Sequence, residues 1–343
     1  MTSSNPASRT IVDQQAEVRS RLPFSDAQDF EDANRGLVAP LSSLVVAQNG
    51  SVVWDNGTYD FIAGDAPETV NPSLWRQSTL VSTGGLFEVV PGLYQVRGMD
   101  LSNISFVEGD TGVIVIDPLI STETAAAALA LYREHRGDRP VTGVIYTHCH
   151  VDHFGGVKGV TTQEDVDAGR VPVFAPAGFV EHAVSENVYV GTAMGRRAGY
   201  MYGAALPRSP QGAVGAGLGQ TTSTGTVTLI PPTVEITTTG QEEVVDGVRI
   251  VFQMAPNTEA PAEMLFFFPD LKALCSAEDA THNLLTRTVG RSTSPRPSTC
   301  SGETSRPCSP PITGRRGAAS RWSRSSRSSA TSTPTSTTRR CGC

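Results

Sequence analysis

Thr147-His148-Cys149-His150-Val151-Asp152-His153-Phe154-Gly155-Gly156 is the stretch on which the reading of this chain turns. It follows the apolar run Val141-Thr-Gly-Val-Ile-Tyr146, which reads as a buried strand. His148 and His150 are therefore expected at a strand end, where alternate side chains share a face. Asp152 and His153 follow where the chain turns at Gly155-Gly156, so they are free to point elsewhere and the four can serve two adjacent metals. Imidazole nitrogen and carboxylate oxygen suit zinc, and the absence of thiolates favours a catalytic over a structural site. One such histidine alone would read as a core or surface residue; three with an aspartate at this spacing do not. Cys149 alternates away from the ligands and reads as a packing residue, while His135 and His182 read as structural.

Upstream lie short β-branched runs punctuated by turns: Gly92-Leu-Tyr-Gln-Val-Arg97, Ile104-Ser-Phe-Val-Glu-Gly109 and Gly112-Val-Ile-Val-Ile-Asp117-Pro118. The third is apolar enough to be buried on both faces. Residues 122–136 have the spacing of an amphipathic helix, so strand, helix and strand alternate, which predicts an α/β layered fold. Further strands are expected at 171–175, 226–230, 233–237, 249–254 and 264–268, a helix near 177–188, and a long loop over 204–225. Residues 1–80, polar with weak helical periodicity, read as an N-terminal arm. Glu259 and Glu278 each sit just past an apolar strand, where a sheet edge could deliver them, although either could be a surface acid. Glu263 reads as a supporting or structural acid.

The charge is divided. Of 27 Lys and Arg and 34 Asp and Glu, eleven Arg and the single acid Glu303 fall in 287–343, leaving −17 on residues 1–286 and +10 on the tail. Only Cys149 and Cys275 lie in the body, so no disulfide framework is expected there. No run of about 18 apolar residues offers a membrane span, and the start of the chain lacks a signal-peptide pattern, so a cytoplasmic protein is expected.

The His-x-His-x-Asp-His motif after a strand ending Asp117-Pro118 resembles the metallo-β-lactamase fold, an αβ/βα sandwich with metals at one sheet edge. More narrowly, Gly92-Leu-Tyr-Gln-Val-Arg-Gly-Met-Asp-Leu-Ser-Asn103, Asn257-Thr-Glu-Ala-Pro-Ala-Glu-Met264 and Ser276-Ala-Glu-Asp-Ala-Thr-His-Asn283 look like the alkylsulfatases that hydrolyse dodecyl sulfate. The resemblance spans about residues 75–286 and implies a catalytic domain over 81–286. It implies that His148 and His150 hold one Zn2+, that Asp152 and His153 hold the other, and that Glu259 and Glu278 complete or bridge the pair. Asp152 would be catalytic as well as a ligand, with Asn283 and Thr286 binding the sulfate of an alkyl sulfate substrate. Neither a nucleic-acid partner nor a membrane span is implied, and the intact family forms homodimers. Two other readings stay open: another hydrolase of this fold, such as a thioesterase or lactonase, and a non-catalytic protein with a basic binding tail.

Residues 287–343 break the pattern. Apart from Val289, Glu303, Ile312 and Trp322 they are Ser, Thr, Arg, Pro, Gly, Cys and Ala, which cannot bury enough apolar surface to offset chain entropy, so a disordered tail is expected. The resembled family has a late zinc-binding histidine in a His-His-Trp-Pro-Thr-Trp-Gly segment that does not occur here. Back-translation of residues 311–318 in a shifted frame permits Pro-His-His-Trp-Pro-Thr-Trp-Gly, and the tail is accordingly expected to be frameshifted. The competing reading is a true disordered segment that binds RNA or is phosphorylated, against which stands its near lack of aromatic residues. Sequencing the coding DNA across the tail should reveal the His-His-Trp segment in an alternative frame; no such frame would overturn the expectation.

Overall fold

The computed structural model describes residues 5–41 and 44–280, together with the backbone of 305–307 and 338–341. The chain begins with α1 (Arg9–Arg21), α2 (Gln28–Ala33), β1 (Leu37–Pro40), the hairpin β2 (Leu44–Val46) and β3 (Val52–Asp55), and α3 (Pro72–Val81). Then come β4 (Gly85–Val90), β5 (Leu93–Arg97), β6 (Ile104–Glu108), β7 (Val113–Ile116), α4 (Thr122–Arg136), β8 (Val141–Ile145), α5 (Gln163–Asp167), β9 (Val173–Pro176), α6 (Phe179–Val184), α7 (Gly191–Tyr202) and β10 (Val234–Ile236). The last described part of the body is β11 (Glu242–Val245), β12 (Val248–Met254), β13 (Met264–Phe268) and β14 (Ala273–Cys275).

Two sheets pack face to face. The first runs β1-β4-β5-β6-β7-β8-β9-β10, antiparallel up to β7 and parallel from there to β10. The second runs β11-β12-β13-β14 and is extended by two short tail strands, β15 (Ser305–Pro307) and β16 (Thr338–Cys341). The rest of 281–343, with Asn283, Thr286 and most of the expected disordered tail, lies outside the described residues.

The period-2 alternation of β7 explains the layers. Ile114 and Ile116 point between the sheets and meet Phe252, Met264, Phe266 and Phe268, whereas Val113 and Val115 point the other way into the core that α4 covers. α4 presents Ala125, Ala128, Leu129 and Tyr132 to that face. Ser121 caps its N-terminus by accepting from the Thr124 N–H, Glu123 sits in the first turn and three basic residues in the last, matching the helix dipole. The result is the α/β sandwich that the sequence implied.

Several elements differ from expectation. The described residues of 5–80 do not trail from the body: β1 pairs with β4, and Val45, Val53 and Trp54 enter the main core. Residues 226–230 form no strand, although Ile230 is buried and its carbonyl accepts from the Tyr146 hydroxyl. α7 breaks into what reads as featureless sequence, and it buries none of its residues. β8 stops at Ile145, so His148 and His150 lie beyond the strand rather than along one of its faces. The reason is local: the Thr147 N–H donates to Asp117 Oδ1 instead of to a neighbouring strand, and residues 147–149 are held by the second sheet. There His148 bridges to Glu263, Met264 N–H donates to the Thr147 carbonyl and Cys149 N–H to that of Ala262.

Gly155-Gly156 makes the turn behind the motif possible. A Cβ on Gly156 would overlap the carbonyl oxygens of Pro118 and Ser121, because the loop after β7 and the start of α4 lie directly against it. Gly156→Ala should therefore destabilise the fold by about 1–3 kcal/mol, read as a lower urea midpoint, and an unchanged midpoint would show that the contact relaxes freely.

Candidate metal centre

His148, His150, Glu259 and Glu278 offer ligand atoms within 4.8 Å of one another, as do Asp152, His153 and Glu278, so the two groups meet at Glu278. All six residues expected from the sequence as metal ligands are thereby brought together. The 147–153 segment comes from the end of the first sheet, Glu259 from the turn between β12 and β13, and Glu278 from just past β14.

The imidazoles are oriented by a buried carboxylate that the sequence reading did not assign. Asp117, at the end of β7 with φ +53°, accepts from the Thr147 N–H (2.8 Å) and the Thr147 hydroxyl (2.7 Å), and lies 2.8 Å from His153 Nδ1. Since the Thr147 hydroxyl donates to Asp117, its oxygen is left to accept from His148 Nδ1 at 2.8 Å. Both rings thus have Nδ1 engaged by Asp117 or Thr147 and turn Nε2 toward the cluster.

Those Nε2 atoms, with Glu259 Oε2, are buried and make no hydrogen bond. Buried polar atoms are nearly always satisfied, and three converging orphans of this chemistry fit a cation between them. His148 Nε2 lies 3.7 Å from Glu259 Oε2 and 3.8 Å from Glu278 Oε2; His153 Nε2 lies 3.3 Å from Asp152 Oδ2 and 3.8 Å from Glu278 Oε1. His150 Nδ1 is 3.0 Å from Glu259 Oε2, and its Nε2 is 3.7 Å from Glu186.

The charges settle unevenly. Burial, then the positive charge shared with His153 and His150, holds His148 well below the usual histidine range. Burial also acts to lower His150, but the adjacent Glu259 carboxylate, with Glu186 and Asp152, outweighs it and raises its pKa to about 9. His153 is likewise raised against its burial by Asp152 and Asp117, and Asp152 is lowered against its own burial, chiefly by His153. Burial raises Glu278 more than His153 lowers it. Burial and then Asp279 push Glu263 up to about 8.

Glu186, in the turn after α6, and Tyr202, at the end of α7, also belong to this neighbourhood. Burial and then the carboxylates of Asp152, Glu278, Glu259 and Glu186 push the Tyr202 phenol up to about 12, which keeps it a donor. Nothing in the sequence marked either residue. Asp117 was signalled, as an acid closing a wholly apolar strand. Ser102, on the loop after β5, donates to the Asp152 carbonyl, and Cys149 is buried in the core as expected. No helix among the described residues is long and apolar enough to cross a membrane.

Comparison with known proteins agrees with this geometry. A family profile described as the metallo-beta-lactamase superfamily matches residues 97–276. The chain belongs to that superfamily. It is 56% identical over 266 residues to a linear primary-alkylsulfatase of Pseudomonas sp, covering 77% of this chain and 40% of that protein. Its identity to an alkyl/aryl-sulfatase of Saccharomyces cerevisiae is 48% over 270 residues, covering 78% and 42%. The solved sec-alkylsulfatase of Pseudomonas sp superposes with a TM-score of 0.80 at 48% identity, over 82% of this chain and 44% of that one. The chain thus spans about two fifths of the length of these relatives.

A histidine whose pKa is raised to about 9 is protonated at neutral pH, whereas a metal ligand must present a lone pair. Adding Zn2+ at pH 7 should therefore release protons, and less should be released at pH 9.5, with apparent affinity rising between the two. Calorimetry in buffers of different ionisation enthalpy measures this; equal release at both pH values would contradict the charge pattern.

Proposed function

We propose that this chain carries the catalytic centre of an alkylsulfatase and hydrolyses linear primary alkyl sulfates, such as dodecyl sulfate, to alcohol and sulfate with two Zn2+. The carrying observation is the pair of ligand groups that meet at Glu278, with orphaned nitrogens on His148 and His153 and an orphaned oxygen on Glu259 aimed between them. The kinship to proteins named alkylsulfatases selects the substrate class. His148, His150 and Glu259 would hold one ion, Asp152 and His153 the other, and Glu278 both. When bound, such a pair supplies Lewis-acid charge and lowers the pKa of a bound water to about 7.

The chain's own residues provide the rest. Asp117 and Thr147 engage the Nδ1 atoms of His153 and His148, so that Nε2 is the atom each ring turns toward the cluster in a fixed direction. Asp152, kept ionised by His153, is the base that takes the proton of the attacking water at Oδ2. The Tyr202 phenol, which holds its proton through the neutral range, is a donor for a sulfate oxygen. Asn283 and Thr286 complete the sulfate contacts in this reading. Residues 81–286 make up the catalytic unit, and 287–343 follow the frameshift.

The late histidine that the resembled family supplies does not occur in this sequence, so slow turnover is expected. The purified chain with Zn2+ should release inorganic sulfate from dodecyl sulfate, and Glu278→Gln should reduce the rate by more than the roughly 10–100-fold typical of partners that only orient ligands. A zinc-loaded chain that releases no sulfate, or that turns over thioesters or lactones instead, would overturn the proposal.

A further inference from the structure

Glu263 lies wholly inside the protein, and its two carboxylate oxygens are used differently. Oε2 accepts three hydrogen bonds, from the Thr258 hydroxyl (2.9 Å), the Glu259 N–H (3.0 Å) and the Ala260 N–H (2.9 Å). Oε1 is buried and has no hydrogen-bond partner. A half-satisfied buried acid is costly, by about 1–3 kcal/mol for an unpaired group, and an apolar residue would fill the site without that cost. The three donors have one thing in common: they are consecutive residues of the turn that carries Glu259.

The backbone of Glu263 is tied to the same centre. It bridges to His148, and its carbonyl accepts from the Ala255 N–H at 2.9 Å, closing the turn at its start. Within the turn Asn257 adopts φ +61° and its N–H donates to the Ala260 carbonyl at 2.9 Å. Asn tolerates left-handed backbone better than most non-glycine residues, so the turn is locally accessible, and the three bonds to Oε2 tie its 258–260 part to Glu263. Glu263 therefore reaches two ligands through separate atoms: His148 through its main chain and Glu259 through its side chain.

We propose that Glu263 is a positioning residue of the metal centre, whose single acceptor oxygen holds the 258–260 turn so that Glu259 faces His148 and His150. The inference rests on the metal-binding reading above but not on the alkyl sulfate substrate. Because only one oxygen is used, a glutamine carbonyl can replace it. A methionine of similar length cannot, and an aspartate, one methylene shorter, falls short of the donors. The ligands of the other group, Asp152 and His153, are held by Asp117 and the 147–153 segment and do not depend on this turn.

Cobalt(II) titration of the full chain tests this, because the absorption bands of bound cobalt report its ligand set. Glu263→Gln should keep the spectrum and affinity of the unchanged chain within about threefold. Glu263→Met and Glu263→Asp should weaken one binding step by about 10–100-fold and alter its bands, leaving the other step in place. Where Glu263→Met fails to fold by circular dichroism, the contrast between Gln and Asp decides. Binding by Glu263→Asp that matches the unchanged chain overturns the proposal, as does a Gln variant as weak as Asp. An unchanged chain that binds no cobalt overturns it together with the metal-binding reading, whereas failure to hydrolyse alkyl sulfates leaves the titration result standing.

Discussion

Asp117 is the constraint on which the centre depends. It sits where β7 ends, fully buried, in a left-handed conformation that Asp tolerates better than most non-glycine residues. Its two oxygens take the Thr147 N–H, the Thr147 hydroxyl and His153 Nδ1. A buried carboxylate of this kind is tolerable only when it is saturated by donors, and here the donors are the groups that must be fixed. One side chain thereby stops β8 at Ile145, sends residues 147–150 across to the second sheet and fixes the direction of two imidazoles.

Around it, other buried polar groups pin the loops that converge on the same edge. Asp100 accepts from the Leu101 and Ser223 N–H groups and from the hydroxyls of Ser223 and Thr124. It thus ties the loop after β5, the start of α4 and the end of the long 204–225 loop at one point, and these bonds oppose the upward pull of burial on its pKa. From that loop Ser102 reaches the Asp152 carbonyl. Such satisfied networks give loops the rigidity that a metal site needs, which apolar packing alone does not supply.

The element limits show how legibility depends on burial. α4 was readable to its ends because one face of it is core, Ser121 caps it and Gly137 stops it. β5, β6 and β7 were readable as short apolar runs because the sheet is covered on both faces, and β12 and β13 because their buried positions alternate against the first sheet. α7 was missed because Gly191, Gly195 and Gly199 give it low helix propensity and no core face fixes its limits, since none of its residues is buried. The first 80 residues looked peripheral because each short element offers only one or two residues to the core, such as Trp54 from β3. Residues 226–230 looked like a strand because Ile230 is buried, yet the backbone there serves a side chain, Tyr146, rather than a sheet.

By itself the sequence determined the chemistry of the centre. The identities and spacing of His148, His150, Asp152 and His153, with acids just past two apolar strands, are local facts that survive without coordinates. Only the tertiary structure decided how those groups stand to one another. Glu259 and Glu278 come more than a hundred residues after the histidines, and their approach is set by how β12, β13 and β14 pack on the first sheet. The partners of Asp117, Thr147 and Glu263 were likewise beyond sequence pattern, although Glu263 already read as a supporting acid and Asp117 closed a wholly apolar strand. Each depends on which backbone N–H or ring nitrogen a side chain meets, and that is fixed by long-range packing rather than by neighbours in the chain.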